Sequence, residues 1–185
     1  MDTVVCRGSS SLAGMPTLVL DPPPAQFQAM LEERRARGQD RHDEMWKGVY
    51  VMMPAPGEAH WLVDEQLAEL LRPLARRAGL VSGGEFNLGD KDDYVVPDRG
   101  LHRPEVRGDW RSTAALVVEI ISPGDRTLEK LPFYAAHRVD EVLIVNPLDH
   151  TVRWLGLSGG EYRPLEQSGL IELGPAGLAD HIDWP

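Results

Sequence analysis

Cysteine is nearly absent from this chain of 185 residues, with Cys6 the single example. That excludes an internal disulfide framework and fits a reducing cytoplasm. Long apolar runs are missing too. Each is interrupted well short of the roughly 18 residues a membrane helix needs, so no span is expected. At the amino terminus, Asp2 and Arg7 flank only Thr3-Val4-Val5-Cys6, so the basic start and apolar stretch of an export signal are not visible. Positive charge is scarce, with 19 Lys and Arg against 29 Asp and Glu, a formal net charge of −10. This balance argues against a protein that coats nucleic acid nonspecifically, because such affinity comes mainly from neutralising phosphates. A nucleic-acid enzyme is not excluded, since metal-binding acids make a chain acidic while arginines can still line one cleft. The arginine groups Arg34, Arg35, Arg37 and Arg41, then Arg72, Arg76 and Arg77, then Arg99, Arg103, Arg107 and Arg111, read first as solvated surface.

With 42% hydrophobic and 26% charged residues, the chain fits one globular α/β domain. Residues 1–20 lack periodicity and read as a flexible arm, 21–175 as the domain and 176–185 as a short, irregular tail. Asp21 before Pro22-Pro23-Pro24 resembles a capped helix start, with Phe27, Met30 and Leu31 as an apolar stripe. A hairpin is expected over 44–53, then a helix over 58–78 stopped by Gly79 and kinked at Pro73. Strands follow over 80–88, 94–101 and 114–122, a helix over 128–137 and a strand over 141–145. A closing hairpin of 151–157 and 161–165 turns at Ser158-Gly159-Gly160. The order points to one mixed sheet flanked by helices.

Within this pattern Glu119 is out of place, because it sits inside the apolar run Ala114-Ala115-Leu116-Val117-Val118-Glu119-Ile120-Ile121. A buried carboxylate needs a partner, a proton or a metal. Asp98 ends the preceding strand, and the two acids can share a hard divalent cation, with the Ile120 main-chain carbonyl as a third oxygen. Lys130, on the following helix, is the nearest cation for transition-state charge, and Tyr134 lies one turn later on the same face.

Taken together, Glu44-x3-Gly48, Pro97-Asp98, Val118-Glu119-Ile120-Ile121-Ser122-Pro123, Lys130-x3-Tyr134 and Val139-x-Glu141-Val142-Leu143-Ile144-Val145 carry a family resemblance. They resemble the Uma-type restriction-endonuclease family of the PD-(D/E)XK nuclease superfamily, over roughly residues 25–165. The resemblance implies a restriction-endonuclease-like αβββαβ core with a mixed central β-sheet flanked by helices. It also implies magnesium or manganese held by Asp98 and Glu119, and hydrolysis of DNA phosphodiester bonds by activated water. Glu44 then corresponds to an additional acid at the metal. Where the superfamily pattern places lysine, two residues after Glu119, this chain has Ile121; Lys130 matches the position to which the family's lysine has moved. A homodimer is expected by analogy, with the terminal hairpin offering a strand edge.

Each residue also has a plainer reading. Asp98 can cap a turn, Glu119 can pair with a buried arginine, Lys130 can be a solvated helix lysine, and Asp125 reads as a helix cap. A nuclease fold that binds or assembles without cleaving is the second reading, favoured by Ile121 and the acidic surface. His60 and Asp64 stand four apart on a helix, but a zinc-type site lacks a third ligand with matching spacing. His102 and His137 are isolated and His150 lies in a turn. Ser82-Gly83-Gly84-Glu85 lacks the lysine of a phosphate loop, and Ser122 lacks a specified His/Asp partner.

Overall fold

The run Leu116–Ile120 forms a strand, β9, in which every residue is buried, and the architecture is organised around it. The computed structural model describes residues 18–20, 28–53, 55–105, 108, 110–124 and 126–185. The expected capped start at Asp21-Pro24 and Asp125 lie outside those residues, as does most of the expected arm; Leu18–Leu20 form a strand, β1. In chain order there follow α1 (Gln28–Ala36), β2 (Glu44–Trp46), β3 (Val49–Met52), α2 (Glu58–Arg77), β4 (Val81–Gly83), β5 (Asn87–Asp90), β6 (Asp93–Val95), β7 (Arg99–His102) and β8 (Trp110–Arg111). After β9 come α3 (Thr127–Ala136), β10 (Glu141–Asn146), β11 (Thr151–Ser158), β12 (Glu161–Pro164) and α4 (Pro175–Ala179).

The strands divide between two mixed sheets, ordered β1-β3-β2-β6-β5-β8 and β12-β11-β10-β9-β7-β4. This refines the expectation of one sheet. Pro97 has no N–H to give to a ladder, so the stretch expected as one strand over 94–101 breaks there. β6 stays in the first sheet and β7 enters the second, which leaves Asp98 at the crossing.

In the second sheet, β9 and β10 are parallel, with Ile144 opposite Glu119, and α3 makes the crossover between them. Both strands are covered on both faces. Leu116, Val118 and Ile120 pack with α2, whose Val63, Leu67, Leu71 and Ala75 form one buried stripe. Val117 faces the other way, with Val142, Ile144, Phe133 and Tyr134. Strand alternation therefore turns Glu119 toward α3.

α2 runs unbroken through Pro73, which is exposed. Gly79, with φ of 73°, takes the left-handed conformation that ends it, as expected. At the carboxyl end the expectation of an irregular tail is corrected. Pro175 starts α4, and Leu178 and Ile182, four residues apart, join the α2-side core. Glu141 fastens the preceding segment by accepting hydrogen bonds from Trp154 Nε1 at 2.7 Å, Ser168 Oγ at 2.6 Å and the Gly169 amide at 2.7 Å. The surface reading of Arg99 is also corrected: its guanidinium is buried, and its Nη1 donates to both Asp64 carboxylate oxygens, at 2.7 and 2.8 Å.

His102 is a core histidine, 3% exposed and packed edge-on against Phe86. Burial, with a smaller contribution from Arg111, lowers its pKa to about 4. The unfolded chain therefore binds the proton first as pH falls from about 6.5, and stability contributed by the neutral ring is lost between there and about 4. From linkage, denaturant unfolding at pH 7 and pH 5 should show wild type losing about 2 kcal/mol more than His102→Leu. Equal losses would remove this assignment.

Candidate active site

Three parts of the fold converge on the buried face of Glu119. The first is α3, where Lys130 and Tyr134 stand one turn apart and are both buried against the sheets. Tyr134 donates a hydrogen bond to Glu119 Oε1, and Lys130 Nζ lies 3.4 Å from the same oxygen. Burial, followed by the charges of Glu119 and Glu44, holds the Tyr134 phenol well above its ordinary pKa, so it stays a proton donor.

The second part is β2 of the other sheet, whose Glu44 and Trp46 face inward on alternate positions. Glu44 Oε1 accepts from Lys130 Nζ at 2.7 Å and from the Val96 amide at 3.0 Å. Glu44 thus holds the lysine and also the backbone two residues before Asp98. Lys130, Glu44 and Glu119 are about as buried as the apolar core, with 5%, 2% and 3% exposure.

Asp98, at the sheet crossing, is the third part. Its Oδ2 accepts the Ile120 amide at 2.7 Å, and its Oδ1 lies 3.1 Å from His60 Nε2 on the first turn of α2. The pairing of His60 with Asp64, set aside for want of a third ligand, does not form: His60 meets Asp98, and Asp64 meets Arg99. His60 is the cleft residue that sequence reasoning left out. Its signal was the four-residue spacing to Asp64, which delivers two successive turns of α2 to the consecutive residues Asp98 and Arg99.

All five sequence-derived side chains, Glu44, Asp98, Glu119, Lys130 and Tyr134, therefore meet in one place. All but Tyr134 line a cleft of about 380 Å³, together with Ile120, Ile121 and His60. Glu58 and Glu85 bring its carboxylates to five, whereas Lys130 is the single Lys or Arg side chain among the described lining residues. Ile121 is half-buried and packs on the apolar cluster around Phe133 and Tyr134.

Among the described residues, no group of three His, Cys, Asp or Glu side chains is arranged to cage a metal ion. Carboxylate oxygens nonetheless suit a hard divalent cation that keeps most of its waters, which takes one or two protein carboxylates rather than a cage. Glu44 and Glu119 are buried beside a single ammonium, and Asp98 is half-buried at the same cleft.

Comparison with known proteins bears on the family and the fold. Among the described residues, no helix is long and apolar enough to cross a membrane. No curated protein matches the chain closely enough to count as a relative. A crystal structure of a "putative nuclease belonging to DUF820" from Anabaena variabilis superposes with a TM-score of 0.62 at 13% identity, covering 77% of this chain and 92% of that chain. At that identity the likeness speaks for the fold. The cryo-electron microscopy structure of a DrdV–DNA complex gives a TM-score of 0.39 at 17% identity, covering 84% of this chain and 13% of that one, too slight a likeness to argue from. A family model described as "Uma2: Putative restriction endonuclease" matches residues 24–179, and the chain belongs to that family.

Proposed function

We propose that this protein is a magnesium- or manganese-dependent endonuclease that hydrolyses DNA phosphodiester bonds. The observation that carries the reading is the convergence of Asp98, from the link between β6 and β7, Glu119, from β9, and Lys130, from α3, on one cleft. Family membership gives it direction.

Asp98 and Glu119 hold the cation through carboxylate oxygens. Ile120 adds its main-chain carbonyl, a role supported by its amide bonding to Asp98, since a strand residue presents N–H and C=O from the same edge. When bound, the cation supplies Lewis acidity that polarises the scissile phosphate and favours ionisation of the attacking water. Tyr134 fixes the Glu119 carboxylate through its hydrogen bond. Lys130 stabilises the negative charge that builds as the water oxygen bonds to phosphorus and the leaving oxygen departs. Glu44, expected as a further metal acid, is supported here as the counterion that holds Lys130 in place.

A second reading, a nuclease fold that binds without cleaving, is favoured by Ile121 in the superfamily's lysine position. Titration calorimetry separates the two: absence of divalent-ion binding at millimolar concentration favours the second.

Plasmid cleavage in magnesium or manganese should fall on the order of a hundredfold or more in Asp98→Ala and in Glu119→Ala. Persistent cutting by both variants would sink the assignment. Lys130 needs a gentler change, because leaving its buried carboxylates without the ammonium costs about 3–5 kcal/mol. Lys130→Gln removes the charge but leaves Glu44 a donor, so it should be less destabilised than Lys130→Ala and, measured below its melting temperature, lose at least about tenfold in kcat; full activity would end its catalytic role. The acidic lining also predicts cation-dependent substrate binding. Fluorescence anisotropy should show DNA bound at least about tenfold more tightly in calcium than in chelator, because a lining with more carboxylates than the single ammonium of Lys130 repels phosphate unless a cation is bound. Equal affinity in both would contradict the proposed role of the cation.

A further inference from the structure

We propose that His60 is a positioning residue that fixes the plane of the Asp98 carboxylate for the divalent cation. The inference rests on the metal-dependent reading above and extends it to a residue outside the motif set. An ionised carboxylate can only accept hydrogen bonds, so Nε2 is the donating nitrogen of His60 at 3.1 Å from Oδ1. The Ile120 amide occupies the other oxygen, Oδ2, at 2.7 Å. With one donor on each oxygen, the carboxylate cannot rotate without losing a bond.

The imidazole is itself constrained. His60 is on the first turn of a 20-residue helix, and its side chain is 13% exposed, against 18% for Asp98. One turn further on, Asp64 grips Arg99 with both oxygens, at 2.7 and 2.8 Å. Two successive turns of α2 thus clamp two consecutive residues. Asp98 follows Pro97 at the point where the chain changes sheets, so it has no full ladder around it and depends on these contacts for its orientation. Partners that hydrogen-bond a metal-binding carboxylate usually contribute about ten- to hundredfold in metal affinity.

The test is calorimetric titration of Mn²⁺ into the full, metal-free chain, comparing wild type with His60→Leu, His60→Gln and Asp98→Ala. Leucine fills similar space without a donor, while glutamine carries an N–H near the place of Nε2. His60→Leu should bind Mn²⁺ about ten- to hundredfold more weakly than wild type, and His60→Gln within about threefold of it, at matched melting temperatures. If the leucine variant does not fold, His60→Ala replaces it. Wild-type affinity in the leucine or alanine variant overturns the proposal. Equal weakness of the leucine and glutamine variants also overturns it, since the hydrogen bond would then not be what matters. If wild type takes no Mn²⁺, or Asp98→Ala takes it as tightly as wild type, the cation reading itself fails and this role falls with it. That pattern is distinct from a failure confined to His60.

Discussion

The ammonium group of Lys130 is the point on which the site depends. It lies 2.7 Å from Glu44 on one sheet and 3.4 Å from Glu119 on the other, and it reaches both from the helix between β9 and β10. Each carboxylate alone would be a destabilising charge in the core, and so would the lysine. Together they are tolerable. A buried pair of this kind adds little net stability compared with well-packed apolar groups, but losing one member is severe. The arrangement therefore acts less as a stabiliser than as a constraint on how the sheets and α3 dock.

That constraint explains why the acids can serve a site rather than weaken the core. Strand alternation divides β9 into an α2 face and an α3 face, and Glu119 falls on the second among Val117, Val142 and Ile144. Pro97 then moves the chain from one sheet to the other, so Asp98 arrives beside β9 without being committed to a ladder. Its oxygens are left to accept from Ile120 and His60. A strand break caused by a missing N–H thus puts a carboxylate at the seam. Glu44 steadies the same seam by accepting the Val96 amide.

Much of this was legible in the residues. An acid inside a β-branched run identified Glu119, and the four-residue spacing of Lys130 and Tyr134 gave their shared face, because both signals are local. The division into two sheets was not legible, since strand periodicity reports which residues alternate but not which ladder they join. Arg99 looked like one charge in a basic group, yet it is buried because Asp64 meets it across α2. The terminal helix was missed because Leu178 and Ile182 gain meaning only once the α2-side core is present to receive them. Glu44 and His60 share that dependence: each has its role from a partner far along the chain.

The packing of Ile121 follows the same logic. Residues 119 and 121 share a face in an extended strand, so a lysine at 121 would reach the site from the strand itself. Here Ile121 instead extends the apolar cluster that holds Phe133 and Tyr134, and α3 brings the ammonium from across that face. Ile121 and the docking of α3 are thus parts of one packing arrangement. A strand-borne lysine is in place once the strand forms, whereas Lys130 is in place only when α3 is seated. The same helix supplies the phenol that orients Glu119. Carrying the ammonium on α3 therefore makes the charge balance of the cluster a consequence of core packing, and it ties the acids to a helix whose position the apolar residues decide.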